Sequence, residues 1–280
     1  VRKFTIGWWL HPNKNKEWYE REKRRTSPDI FARDVDINYA LSVSDRVFSN
    51  FDRNVHVSHE RLKYDPHRFL YRIWDFGKTN SVLWVQKDDL GRTRVLLERV
   101  LGKYKGQGED STILDQVYIA QSDTDKWFPN ANIFDICDPQ GDVADGKPNT
   151  YLDTLRDNDI NPYYDVIKSI ARQKITRSGT EVIKRELQIT VMKQPALLIQ
   201  APMGDFNGCP LLIEAMQGGL IYKKDTKGNP TDIIKEKHPY MDVVDCLIYY
   251  YLQTSGFSGE DDEDVTIEYT GTGINDYLGY

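Results

Sequence analysis

Four aspartates stand where an acid is unexpected. Asp75 closes the run "FLYRIWDFG", Asp138 closes "ANIFDICDP", and Asp242 and Asp245 lie three apart in "YMDVVDCLIYYYLQT". The first two end apolar, extended segments. A carboxylate at the rim of a core is costly unless a cation, a metal or a hydrogen-bond network meets it. Asp242 and Asp245 point the same way if their segment is a helix. Each acid also has a plain structural use: Asp75 to start a turn, Asp138 to make an Asp-Pro turn, Asp242 to cap helix amides. Taken together they suggest more. Strand-end acids on neighbouring strands, with another on a covering helix, converge at one edge of an α/β sheet, where sites commonly form. Crowded carboxylates repel unless divalent cations neutralise them. Oxygen ligands without a Cys or His cluster favour Mg²⁺ or Mn²⁺ over zinc. Two such ions about 3.5–4 Å apart can activate a water and stabilise the leaving oxygen in phosphodiester hydrolysis.

The elements that must position these acids are legible as periodicities. "FLYRIWDFG" and the hairpin "SVLWVQKDDLGRTRVLLERVL", turning at Asp88-Asp89-Leu90-Gly91, predict three consecutive antiparallel strands. "DSTILDQVYIAQSDTDKWFP" has helical spacing, "ANIFDICDP" is a buried strand closed by Pro139, and "TYLDTLRDNDI" and "IKRELQITV" read as helices. "PALLIQAP" is a further strand, and "CPLLIEAMQGG" a helix ended by glycines. A basic hairpin turning at Lys227-Gly228-Asn229 and a last helix carrying Asp242 and Asp245 complete the set. Strands first, then strands alternating with helices, predict an α/β fold with a mixed sheet covered on both faces.

Before this region, "VRKFTIGWWLHP" begins like a strand. "NKEWYEREKRRTSPDIFARDVDINYALS" follows as two helices broken at Ser27-Pro28. So few elements enclose little core, and residues 1–64 are expected to have packed on something now missing. The chain begins at Val1 without a signal-peptide pattern and reads as an excised fragment. The expected division is thus 1–64 as leader, 65–254 as the main domain, and 255–280 as a loose acidic tail.

The net charge of −6 conceals an uneven distribution. The tail from Ser255 holds seven acidic residues and no Lys or Arg, which leaves 37 basic and 36 acidic residues in 1–254. Residues 65–164 are acidic overall, with 12 basic and 17 acidic, while 1–64 and 165–240 are basic. That suits a cation site bordered by surfaces that grip polyanions, and it suits ordinary surface scatter as well. Three cysteines with no C-x-x-C spacing indicate a reducing compartment and no zinc site. No apolar run nears the ~20 residues of a membrane span.

Other motifs are excluded by their context. "DFG" lacks the H-R-D loop and V-A-I-K strand of kinases, and no G-x-x-x-x-G-K-[ST] phosphate loop is present. Of the five histidines, none forms H-E-x-x-H, and His56 and His59 read as surface loop residues. Cys137 and Cys246, each beside a key aspartate, read as core.

The ordered set "WDFGKTNSVLWVQKDDLGRTRVLLE", "DICDPQG", "CPLLIEAMQGGLIYKK" and "HPYMDVVDCLIYYYL" resembles the C-terminal nuclease domain of the large terminase subunit of tailed bacteriophages. The opening, from "GWWLHP" to "DINYALSVSDRVF", is similar to the segment leaving the packaging ATPase domain in that family. The resemblance spans about residues 4–254. It implies an RNase H-like fold and a Mg²⁺- or Mn²⁺-dependent endonuclease that cuts concatemeric double-stranded DNA. It also implies a location in the host cytoplasm, with the ATPase domain, the small terminase subunit and the portal as partners. No ATP site is expected in this fragment.

By position, the resemblance makes Asp75 the first-strand metal aspartate, bridging both ions. Asp138, in the "DP-small-G" turn, and Asp245 would each hold one ion. Some members have a His three residues before the last acid; here Asp242 stands there, either as a second-metal ligand or as a cap. Asp135 is a weaker competitor for the role of Asp138. Lys78 is expected to meet a phosphate, and Lys223, Lys224 and Lys227 to grip the DNA backbone or gate the cleft. Weak sequence preference and strong salt dependence follow. Rival readings are another RNase H-like nuclease, of resolvase or transposase type, and a non-catalytic DNA-binding or scaffold module.

Overall fold

Both faces of the central strands are apolar, so the sheet they form has to be covered on both sides. The computed structural model describes residues 8, 11–25, 31, 35, 45–77, 79–102, 112–142, 149–235 and 237–254. The expected strand at the N-terminus, the helix after Ser27 and the acidic tail lie outside the described residues, apart from single positions. Helix α1 (Lys16–Arg25) is described in full.

The main sheet has six strands: β1 (Val57–Ser58), β2 (Phe69–Asp75), β3 (Asn80–Lys87), β4 (Thr93–Leu101), β5 (Asn132–Cys137) and β8 (Leu197–Gln200). Their order across the sheet is β1-β8-β4-β3-β2-β5. The three expected antiparallel strands are β2, β3 and β4, paired Ile73 to Leu83 and Trp84 to Leu97. Strand β5 runs parallel to β2, and β8 runs parallel to both β4 and β1. This mixed sheet is the expected α/β, RNase H-like arrangement.

Strand alternation sorts the core into two layers. Tyr71, Ile73, Leu83, Val85 and Ile136 point to one side. There they meet the last helix, here α8 (Tyr240–Thr254), and helix α6 (Arg172–Glu186). Leu70, Trp74, Val82, Trp84 and Cys137 point to the other side. That layer is covered by α3 (Ile113–Trp127) and α4 (Tyr151–Arg156), each opened by a Thr/Asp capping box. Helices α6 and α8 approach closely at Gly179, where an added Cβ would overlap the side chain of Ile248.

Several expectations change at the boundaries. The helix expected over "IKRELQITV" starts earlier, at Arg172, and stops at Glu186. The chain then turns into the small hairpin β6 (Thr190–Val191) and β7 (Gln194–Pro195). A short helix, α5 (Asp165–Ser169), had no periodicity to announce it. Part of the expected leader is built into the main core: α2 (Arg53–His56) leads into β1, and Val47, Phe48, Phe51 and Val57 are buried. His56 is not a surface residue. It is buried, with Nε2 2.9 Å from the Leu187 carbonyl and Nδ1 3.0 Å from that of Asp52. The three cysteines are buried and unbridged, as core residues should be. Among the described residues no helix is long and apolar enough to cross a membrane.

Helix α7 (Pro210–Glu214) continues into a widened turn, Ala215–Gly219, then into the hairpin β9 (Tyr222–Lys224) and β10 (Pro230–Ile234). Glu98 of β4 caps α7: its Oε1 and Oε2 accept from the amides of Leu211 (2.6 Å) and Leu212 (2.9 Å).

Candidate metal and nucleic-acid site

Asp75 is the last residue of β2, on the face that carries Tyr71 and Ile73. The register pairs Trp74 with Cys137, and the Asp138 amide donates to the Trp74 carbonyl at 3.0 Å. Continuing that ladder by one residue sets Asp138 beside Asp75, and alternation points both side chains to the same layer. Asp138 is fixed by its own turn: Oδ1 accepts from the Gln140 amide at 2.9 Å, and its carbonyl accepts from Gly141 at 3.1 Å. Gly141 has to be small, because an added Cβ would lie 2.6 Å from the Phe76 ring. That ring stacks on Tyr151.

Helix α8 brings the remaining acids from the covering layer. Val244, Leu247, Ile248 and Tyr251 pack inward, as helical spacing predicts. Asp245 and Tyr249, one turn apart, face Asp75. The Tyr249 hydroxyl hydrogen-bonds Asp75, and burial beside Asp75, Asp245 and Asp138 pushes the tyrosine well above its ordinary range. Asp75 is itself raised well above the usual carboxylate range, first by burial, then by the charges of Asp245, Asp138 and Asp242. It makes no ion pair among the described residues. A buried acid held among three others, with a tyrosine hydroxyl as its helping group among the described residues, is strongly disfavoured as an anion.

Asp242 has a different environment. Thr79, in the turn after β2, donates to its Oδ2, and His238 Nδ1 lies 2.6 Å from its Oδ1. Both of its oxygens are thus engaged within the protein. Asp135 is taken out of the cluster altogether. It accepts from Arg72 at 2.7 and 3.0 Å and from the Trp74 indole at 2.7 Å, within the opposite layer.

The acids open into a cleft of about 540 Å³ whose lining includes Asp138, Asp245 and Tyr249. Helix α6 forms one wall, with Thr176 and Arg177; the β9–β10 hairpin forms another, with Lys223 and Asp232. Of the expected backbone-gripping residues, Lys223 lines the cleft. Lys224 pairs instead with Asp45, at 2.7 Å. Lys227 is exposed at the hairpin turn, where its amide donates to Asp225. Lys78 lies outside the described residues. Sequence reasoning missed Thr79, His238 and Arg177, since single polar residues in a turn or on a helix carry no periodic signal.

No family model matches this sequence, and no curated protein sequence matches it. Solved structures do. The chain is similar to the large terminase of a thermophilic bacteriophage in complex with ADP, with TM-score 0.54 and 13% identity over 87% of this chain and 53% of that one. It is similar to the same phage protein in complex with ATP-gamma-S, with TM-score 0.51 and 14% identity over 84% of this chain and 52% of that one. The P22 large terminase nuclease domain matches with TM-score 0.50 and 13% identity over 74% of this chain and 91% of that one. The fold is that of a terminase nuclease domain. The chain thus spans about half the length of the thermophilic phage's terminase and nearly all of the P22 nuclease domain.

Whether the cleft suits divalent cations is decided by its donors. Asp75, Asp138 and Asp245 offer hard carboxylate oxygens; the nearby Cys246 thiol is buried, with Sγ 3.7 Å from the Ser81 carbonyl. Among the described residues no three acids, histidines or cysteines close into a ready-made metal cage. An open, all-oxygen site matches the habit of Mg²⁺, which keeps several waters and takes few protein ligands. It does not match a structural zinc or calcium cage.

Proposed function

We propose that this chain is the nuclease part of a viral packaging terminase, an endonuclease that hydrolyses DNA phosphodiesters with two Mg²⁺ or Mn²⁺ ions. The observation that carries this reading is Asp75: a buried acid at a strand end that makes no ion pair among the described residues, flanked by Asp138 and faced by Asp245, at a cleft edged with cations. A folding role alone does not account for such a group, because its charge opposes folding.

In this scheme Asp75, Asp138 and Asp245 would be the residues that hold the ions. Bound ions supply the Lewis acidity that activates water and stabilises the departing 3′ oxygen. The chain's own residues hold the arrangement. The Gln140 amide aims Asp138, and the Tyr249 hydroxyl orients Asp75. Asp242, clasped by Thr79 and His238, ties the turn after β2 to the start of α8. Lys223 offers a cation to a backbone phosphate, a contact that carries no base information. In the whole protein, the packaging ATPase domain, the small subunit and the portal would be partners. The substrate would be concatemeric double-stranded DNA in the host cytoplasm.

Supercoiled plasmid incubated with the protein and Mg²⁺ or Mn²⁺ tests the proposal. Nicking that EDTA stops, and that Asp75→Ala, Asp138→Ala and Asp245→Ala each abolish, is the expected result. No metal-dependent nicking by a folded wild type would leave a non-catalytic DNA-binding module.

A further inference from the structure

The basic residues around the cleft differ in what they already hold. Lys224 is paired with Asp45, and Lys184 donates to Glu181 and to the Tyr222 hydroxyl, both at 2.7 Å. Lys237 lies over the Tyr240 ring. Arg177 and Lys223 have no such partner: among the described residues neither side chain makes a hydrogen bond, an ion pair or a ring contact. Both line the cleft, Arg177 from helix α6 and Lys223 from β9. The acids between them draw in cations, yet neither basic side chain closes onto Asp138, Asp232 or Asp245.

Two uncommitted cations on different walls of an acid-floored cleft suit a ligand that is itself a chain of anions. We infer that Arg177 is a DNA-backbone contact, binding a phosphate on the α6 side while Lys223 binds one on the hairpin side. A backbone crossing the cleft would then meet a cation on each wall. This inference rests on the nuclease reading for its ligand, but on contacts independent of the acids. An arginine there serves better than a lysine in one respect, since its fork can hold two phosphate oxygens at once. Helix α6 also packs on α8 through Gly179 and Ile248, so Arg177 sits on a wall braced against the helix that carries Asp245.

Fluorescence anisotropy with a labelled duplex of about 30 base pairs and arbitrary sequence, in EDTA and over a range of salt, tests this. Arg177→Gln is expected to weaken binding several-fold on any sequence and to make the plot of log affinity against log salt shallower by about one ion. Arg177→Lys should restore the slope but only part of the affinity. Arg177→Gln with Lys223→Gln should lower the slope by about two. Unfolding midpoints are measured alongside; Arg177 is exposed and its removal should not move them. Wild-type affinity and slope in a folded Arg177→Gln protein would overturn the inference. Absence of metal-dependent nicking by wild type, with the slope change intact, would instead overturn the nuclease reading and leave the phosphate contact standing.

Discussion

Lys224 Nζ lies 2.7 Å from Oδ2 of Asp45, so the hairpin beside the cleft is tied by an ion pair to the segment that precedes the sheet. The same segment bridges Arg46 to Ile221 in antiparallel fashion, and the Val47 amide donates to the Leu220 carbonyl. Asp45 is buried while Lys224 is half in water, so the pair acts mainly by satisfying the acid. Lys224→Ala should therefore destabilise the fold by about 1–3 kcal/mol, the cost of an unsatisfied buried group. Its effect on DNA affinity should be smaller than that of Lys223→Ala. Urea unfolding and duplex binding measured on both variants check this division; equal losses of affinity would refute it.

The clustered acids should exchange stability for function. Replacing Asp75 by Asn removes a buried charge repelled by three others, so the variant should unfold at a higher temperature than wild type while losing metal-dependent nicking. Added Mg²⁺ or Mn²⁺ should raise the midpoint of wild type but not of Asp75→Asn, because a cation that binds only the folded state stabilises it by mass action. A thermal melt with and without metal reads both effects. An Asp75→Asn protein less stable than wild type would show that Asp75 is structurally satisfied after all.

Asp135→Asn should behave in the opposite way. Its loss strips Arg72 of a bidentate partner in a buried layer, and breaking such a pair costs about 3–5 kcal/mol. The protein that remains folded at low temperature should still nick DNA. Denaturant midpoints and nicking assays on Asp135→Asn and Asp138→Asn together separate the two acids.

Glu98 should make stability depend on pH. Burial pushes its carboxyl up to about 8, against the pull of the Leu211 and Leu212 amides. A raised folded pKa means that the folded state binds the proton more tightly than the unfolded chain. The penalty for ionising Glu98 is absent below about pH 4.5, grows as pH rises, and is complete above about 8. Wild type should lose stability relative to Glu98→Gln across that window. Urea midpoints for both proteins, taken at steps from the lower to the upper end of it, measure the difference, and parallel curves would contradict it.

Gly179 should be intolerant of a side chain. The methyl of Gly179→Ala would overlap Ile248, so α6 and α8 must part, at a cost of about 1–3 kcal/mol for overpacking. Ile248→Val or Ile248→Ala in the same protein should recover part of that loss, a non-additivity that a double-mutant cycle reads directly.

The alternation in "FLYRIWDFG" and "SVLWVQKDD" and the Pro after Asp138 were enough to predict the three-stranded core of the sheet, the further strand "ANIFDICDP" and the acids at their ends. So was the helical spacing around Asp245. Strands and helices of this length carry their burial pattern in the order of apolar residues, because the pattern is the cause of their packing. Odd spacing also separates Asp135 from Asp138, since residues three apart on a strand face opposite layers. What each acid meets there is not written locally. That Arg72 and Trp74 claim Asp135, that Thr79 and His238 claim Asp242, and that Tyr249 meets Asp75 depend mostly on partners far along the chain, brought near by the β2–β5 register and the seat of α8. The same holds for Lys223 and Lys224. Neighbours on a strand must diverge, but only the fold decides that one looks into the cleft and the other toward Asp45. Two-residue strands such as β1 and a lone cation such as Arg177 have no period to read, so their places come from tertiary contacts alone.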